Sequence, residues 1–505
     1  FSWAGALATL NVAHQFYTWT RNITSHKIGN DSFTYPQNLP GLANTFKNKK
    51  YWDGSCTSKC NQYFLSGVLG ALDVQSEFHH DVENSILYFY PPSASQSRSQ
   101  CTPPSAGEIQ IKVRDYAIEV FAKVRNIQLL NLNVLGAALR MHDCENCIVE
   151  NVEMKYPTFN RRSTELDVPS STVAATSING SNIYIHNTSL RYSNNNGLRI
   201  SGENILADNI LIDYTDWMGS LSYAPFHVNG NNISVRRATV RYFGNAGVVT
   251  GIPNTLPHAS INSTQNPPQP MANRFLEVSH SHISNGGKIG MDTAALYTGG
   301  WQAAGTRWHH NWIHDTSEKC LRADDQSENM TVHHNVIYNC GVGDKSNINV
   351  ASKQAGLGII LKGDGHVIYA NTLFNTNYTE MCMPSCMEPL KPFRHQYPLI
   401  KQNQRTQIFN TAAKRDLGWP CSCHNKSYVN SPGGNVTSMF KGSNLNLEDI
   451  SNYDFRPKAS SSLVDAGSII PPFTNGYIGK APDIGAYEYG DALWWKAGCV
   501  GMEGC

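Results

Sequence analysis

Apolar and polar positions along this chain follow a short phrase that keeps returning: apolar, two variable residues, a small or amide residue, one more variable residue, then apolar again. It reads Val332-His333-His334-Asn335-Val336-Ile337 and returns as Val149…Met154, Ile185…Leu190, Val235…Val240, Val278…Ile283, Trp308…Ile313 and Ile368…Leu373. The closest returns are spaced at roughly one solenoid coil, about 20 to 30 residues. A second phrase precedes it: Ala138–His142, Gly197–Ser201, Pro225–Asn229 and Cys320–Asp324. Here apolar and polar residues alternate at period two, so one face of a short strand is buried and the other faces outward. Gly and Asn clusters follow and signal bends. A unit this short cannot bury its own apolar face and must stack on its neighbours. The pattern predicts an all-β chain, a parallel β-helix solenoid with three strands per coil. A helical reading fails because Gly, Asn and β-branched residues fill the repeats and apolar positions recur at two.

Asn311, Asn335 and Asn371 fall at one place in their phrases and predict a buried amide ladder. Earlier coils put Thr188, Ala238 and Ser281 there, so the ladder is expected only in the late coils. Residues 1–110 are not repetitive and read as an N-terminal cap over an open sheet edge. Coils are expected over 111–377. Residues 378–505 read as a Cys- and Pro-rich C-terminal wrap and tail packed on the solenoid. Insertions at 157–173, 217–224, 252–272 and 341–357 are expected to overhang the first strand of each coil, where converging loops build sites.

Composition narrows the function classes. The net charge is +1 and only 16% of residues are charged, which argues against a nucleic-acid binder. No apolar run reaches the ~20 residues that span a bilayer. Thirteen cysteines point to an oxidising compartment. Cys320 and Cys340 begin and end one coil and are expected to form a disulfide. Sequons stand at Asn22, Asn30, Asn179, Asn187, Asn232, Asn262, Asn329, Asn377, Asn425 and Asn435, which fits a secreted, extracellular glycoprotein.

Three segments carry a resemblance: Ala71–Asp81 followed by Ile86–Tyr90, Leu321–Asp325 before Val332–Asn335, and the tail Pro482–Glu488. They resemble the secreted, pectate-lyase-like right-handed parallel β-helix proteins that act on carbohydrates. That class holds glycoside hydrolases, polysaccharide lyases and proteins without activity. The resemblance therefore implies the fold and a polysaccharide or glycan as partner, and leaves the reaction open.

If Leu139, Leu198, Phe226 and Leu321 point inward, then Arg140, Arg199, His227 and Arg322 form an outward column, with Tyr297 in the intervening coil. His142, Ser201, Asn229 and Asp324 form the next column. Such a file suits a sugar chain, because Arg presents fixed donor forks. Trp217, Tyr223 and Trp301 are placed to stack on sugar rings. Hydrolysis needs two carboxyl groups. Asp324, Asp325 and Asp364 are the candidates, with Asp325 and Asp364 expected at about the 4.8 Å strand spacing, and Asp292 and Glu318 in reserve. A lyase would instead use Arg199, His227, Tyr297 and Arg322, with Ca²⁺ held by the aspartates. No cofactor is otherwise required. His309-His310 and His333-His334, with His314 nearby, could hold a transition metal as neutral imidazoles. Polar bend residues are the simpler reading, and no metal site is assigned. The non-enzymatic alternative is a structural glycoprotein of a matrix or filament, self-associating through the ends or sides of the solenoid.

Overall fold

The computed structural model describes residues 1–12, 17–35, 63–91, 107, 109–120, 123–158, 176–194, 196–217, 224–251, 274–290, 293–298, 305–324, 327–342, 356–377, 379–382, 407–413, 435–442 and 444–499. The insertions expected at 157–173, 217–224, 252–272 and 341–357 fall almost wholly outside these residues.

The period-two phrases become stacked parallel strands. The first wall runs from Tyr116–Val120 through Ala138–Glu145 and the openings of Thr176–Ser193, Leu198–Thr215 and Phe226–Arg236 to Val248–Thr250, Ala294–Thr298, Lys319–Ala323, Leu357–Leu361 and Thr379–Cys382. Two further walls stack in the same parallel sense, for example Arg307–His309 on Thr331–His333 and Trp312–Thr316 on Val336–Cys340. The chain is a parallel β-helix with three strands per coil. Its interior is one apolar column that includes Leu139, Leu198, Phe226, Leu296 and Leu321, all fully buried. Each such side chain contributes about 1.5–3 kcal/mol relative to exposure.

Bends hold the walls apart, and their residues also stack. The amide ladder forms as expected: Asn335 Oδ1 accepts from Asn311 Nδ2, and Asn371 Oδ1 accepts from Asn335 Nδ2, both at 2.9 Å. Ser281 extends it, its N–H donating to Asn311 Oδ1. Two more ladders occupy the early coils. In one, Asn232, Asn204, Asn182 and Asn146 pass an amide bond down the stack. In the other, Asn209, Asn187, Asn151 and Asn131 do the same. The asparagines of these two early ladders lie in the left-handed backbone region, which Asn tolerates better than other non-glycine residues. Gly180, Gly202 and Gly230 stack where the first wall turns. A Cβ on Gly202 would stand 1.8 Å from the Gly180 carbonyl oxygen, so no larger residue fits.

The spiral does not end at 377. Parallel pairing continues through Thr379–Cys382, Gln407–Ala413 and Asn435–Lys441. The expected boundary followed the Cys- and Pro-rich composition of this region, but composition between strands does not stop strands from stacking. Beyond it, Leu445, Phe455, Leu463, Ile484 and Tyr487 cover the third wall at Trp312, Val336, Tyr338 and Phe374. In the N-terminal region, Leu7–Val12, Tyr17–Asn22 and Tyr63–Ser66 form an antiparallel sheet with a small core of its own. Cys320 and Cys340 are bonded, with Cα atoms 5.6 Å apart, and Cys499 is also in a disulfide. Cys144 and Cys147 are buried and free. Among the described residues no helix is long and apolar enough to cross a membrane.

Candidate functional site

The outward column of the first wall exists, with interruptions the phrases did not show. Its register is Glu119, Arg140, Ser177, Arg199, His227, Val249, Tyr297, Arg322, Ile360. Val249 and Ile360 break the polar file. Val249 and Tyr297 join Ala224, Ala246 and Ala294 in a separate outer apolar cluster. In the neighbouring column Asn179, Ser201 and Asn229 are in register, and the Asn179 amide donates to Ser201 Oγ at 2.9 Å, whereas a bulge after Met141 takes His142 out of the ladder. His142 is exposed, and Trp217 is 45% exposed. Tyr223 and Trp301 lie outside the described residues.

An open trough lined by these side chains is not what the structure shows. Arg199, His227, Tyr297 and Arg322 are each at most 7% exposed although they face away from the core. Strand alternation decides which way a side chain points, whereas exposure depends on what packs over that face. Arg140 is set apart from the others, tied to Glu119 at 2.5 Å and to the Tyr116 hydroxyl, with its guanidinium over the Tyr116 ring.

The polar focus is Asp324. Its Oδ2 accepts from the Tyr297 hydroxyl at 2.9 Å and from Arg322 Nη2 at 2.8 Å, and Lys362 Nζ lies 2.8 Å from Oδ1. Arg322 also stands over the Tyr297 ring, 5.5 Å from its centroid. Burial alone would raise the Asp324 carboxyl. The charges of Arg322 and Lys362 outweigh it and hold the group well below the usual carboxylate range. This surrounding favours the carboxylate form of Asp324, which accepts bonds rather than giving a proton. Burial, reinforced by the Arg199 charge, pulls the His227 imidazole down to about 3 and keeps it neutral. His227 Nδ1 pairs with the Asn229 amide at 3.0 Å.

The expected stacking of Asp325 on Asp364 is corrected by the register. Leu361 pairs with Ala323, but Asp364 bridges to Glu328. The first turn is longer than the one above it, so counting residues misaligned the two aspartates. Asp364 is buried, while Asp325 and the reserve Asp292 lie outside the described residues. Glu318, the other reserve, forms a buried pair with Lys319 at 2.9 Å. Lys362 was missed in the sequence, yet its place was legible: it follows Leu361 as Asp324 follows Ala323.

The residues do not suit Ca²⁺ as arranged, because both Asp324 oxygens are already engaged by cations and a phenol. The group of His, Cys, Asp or Glu side chains close enough to share a metal among the described residues is His309, His310 and His333, on a different wall. Of the sequons, Asn22, Asn30, Asn232, Asn329 and Asn377 are exposed, and Asn179 and Asn187 are half-buried with their amides in use. The side chain of Asn435, and all of Asn262 and Asn425, lie outside the described residues.

No family model and no curated protein matches the chain. Among solved structures, pectate lyase Pel9A aligns at a TM-score of 0.42 and 12% identity, over 68% of this chain and 87% of that one. A structure described as a glycoside hydrolase aligns at 0.42 and 14%, over 66% of this chain and 65% of that one. The parallel β-helix itself is established by the strand register of this chain.

Proposed function

We propose that this chain is an extracellular carbohydrate-active glycoprotein that binds a polysaccharide or glycan at the outward face of its first wall and cleaves it. The observation that carries the reading is Asp324, a carboxylate clamped by Arg322, Lys362 and the Tyr297 hydroxyl on a face that also holds Arg199 and a neutral His227. Fixed guanidinium forks and a neutral imidazole suit sugar hydroxyl and carboxylate groups.

Glycoside hydrolysis is the preferred reaction. Asp324 supplies the carboxylate that supports an oxocarbenium-like transition state, and Asp325 or Asp364 supplies the proton to the leaving oxygen. Secretion and glycosylation are supported by the Cys320–Cys340 disulfide and by five exposed sequon asparagines, Asn22, Asn30, Asn232, Asn329 and Asn377.

A second reading is favoured by the same cluster. Arg322, Lys362, Tyr297 and Asp324 satisfy one another within a buried face, as a structural ion network would, and the chain would then be a non-catalytic rod of a matrix or filament. Incubating the purified protein with a panel of neutral and anionic polysaccharides separates the readings. New reducing ends without ultraviolet-absorbing unsaturated products are the expected result. Unsaturated products would replace hydrolysis by elimination, and no product from any polymer would favour the structural rod.

A further inference from the structure

The bend between the second and third walls carries a different chemistry. Its left-handed position is filled by Asn131, Asn151, Asn187 and Asn209 in the early coils, then by Arg237, His280, His310 and His334, and later by Ala370 and Asn410. Three consecutive coils thus place a histidine where the early coils place an amide. One residue earlier, the outer face of the second wall stacks Ser279, His309, His333 and Tyr369.

Two histidine columns therefore run side by side. His280 stacks on His310, and His310 on His334, each with ring centroids 4.8 Å apart. His309 stacks on His333 at 4.6 Å, and His333 on Tyr369 at 4.6 Å. Across the columns, His309 Nδ1 lies 2.8 Å from His310 Nδ1, and His333 Nδ1 lies 2.8 Å from His334 Nδ1. The Trp495 ring closes over one side, 5.0 Å from the His310 centroid.

We infer that His309, His310 and His333, with His334 behind them, form a binding site for a divalent transition-metal ion of the copper(II) or nickel(II) kind. One ligand atom from each of the first three residues lies within 4.8 Å of the others. Imidazole nitrogen suits Cu, Ni and Zn among the common metals. His309 Nε2 lies 3.2 Å from Glu277 Oε1, a carboxylate that also accepts from Ser234, Arg236, Ser279 and Arg307. That bond places the His309 proton on Nε2 and leaves its Nδ1 lone pair for a metal. A carboxylate behind a ligating histidine is the usual device for orienting the ring.

The affinity order selects among metals: an imidazole site takes copper(II) more tightly than nickel(II) or zinc(II) among the divalent first-row ions. Binding exchanges the Nδ1–H···Nδ1 bond of the His309–His310 pair for two metal bonds. The proton shifts to Nε2 of the His310 ring, so no net charge leaves the protein and no oxidant is consumed. This site is separate from the carbohydrate face and stands or falls without it.

The test uses the full chain freed of metal by a chelator and titrated with Cu²⁺, Ni²⁺ or Zn²⁺. The expected result is saturable Cu²⁺ binding, a paramagnetic resonance spectrum split by imidazole nitrogens, and weaker Zn²⁺ binding. The variants His310→Asn and His333→Asn should each weaken Cu²⁺ binding about 10- to 100-fold. Asn keeps the left-handed bend at 310, as Asn209 and Asn410 do in their own coils. His80→Asn, in the N-terminal region, should bind as the parent does. Cu²⁺ affinity unchanged in both array variants overturns the inference. So does a parent spectrum without nitrogen splitting, a result that does not depend on any variant folding.

Discussion

Tyr297 and Asp324 meet across a coil boundary, the phenol donating to Oδ2 at 2.9 Å, although 27 residues separate them in the chain. Stacking alone makes this contact, since Tyr297 sits in register with Arg322 and Asp324 follows two residues later. Removing the hydroxyl in Tyr297→Phe leaves Asp324 its two cations, and should cost about 1 kcal/mol. Asp324→Asn instead takes a counter-charge from both Arg322 and Lys362 in a largely buried place, and should cost roughly 3–5 kcal/mol. Urea unfolding of the two variants checks the order. Equal losses would mean that the ions are not the core of the cluster.

Asn335 makes more bonds than any turn residue needs. Its Oδ1 accepts from the N–H and the side-chain amide of Asn311, and its Nδ2 donates to the Trp308 carbonyl and to Asn371 Oδ1. It is fully buried. Asn335→Ala strands several of these partners away from water, at about 1–3 kcal/mol for each group left unpaired. Asn182→Ala, in the exposed ladder, leaves its partners open to solvent and should cost less than about 1 kcal/mol. Thermal unfolding of both variants should separate them clearly.

Gly202→Ala tests the closeness of the coils. The added methyl group would meet the Gly180 carbonyl at 1.8 Å, and φ at this position is 130°. The coil spacing is set by backbone bonds above and below, so it cannot open at one residue. The expected outcome is a chain that fails to accumulate as folded protein. By contrast Gly476→Ala, with nothing within 4 Å of its Cβ but a φ of 90°, should fold with only a modest loss. Yields of soluble protein and circular dichroism read the difference.

Acid should destabilise this protein before its carboxylates titrate. His366 is buried, accepts from the Met330 N–H at Nδ1 and donates from Nε2 to the Lys362 carbonyl. Burial is the main reason that its imidazole is pulled down to about 4, and His227 is pulled down to about 3. Both pKa values are lowered in the folded state, so the unfolded chain binds more protons below its own imidazole pKa of about 6.5. The stability these groups support is complete above that pH and is lost as pH falls toward 4 and 3. Each contributes a slope of about 1.4 kcal/mol per pH unit within the window. Urea unfolding between pH 7 and pH 4.5 should show the decline, and His366→Gln should make it shallower by about one group. An unchanged slope would show that His366 is protonated in the folded protein.

Much of this architecture was legible from residue order because it depends on period. Alternation placed Arg199, His227, Tyr297 and Arg322 on one face, and recurrence placed Asn311, Asn335 and Asn371 in one ladder. Coil length brought Cys320 to Cys340. What period does not encode is the length of each turn and what covers a face. The turn after Asp324 is longer than the turn after Lys362, which is why Asp364 meets Glu328. The burial of Arg322 and Tyr297 depends on packing over the outer face, and the alternation that points them outward is silent on it. The tail's contacts at Leu445, Phe455 and Tyr487 follow no repeat, so no pattern foretold which wall they would cover. The early amide ladders were hidden for a different reason: Asn146, Asn182 and Asn204 look like ordinary turn residues until stacking aligns them.

The central claim is that the cluster around Asp324 acts on a polysaccharide. The most direct measurement compares the parent protein with Tyr297→Phe on whichever polymer the parent degrades, reading new reducing ends and melting temperature together. The account predicts product from the parent, a loss of turnover in the variant far beyond its small change in stability, and no unsaturated product. Turnover equal in the two proteins, at equal stability, would contradict it.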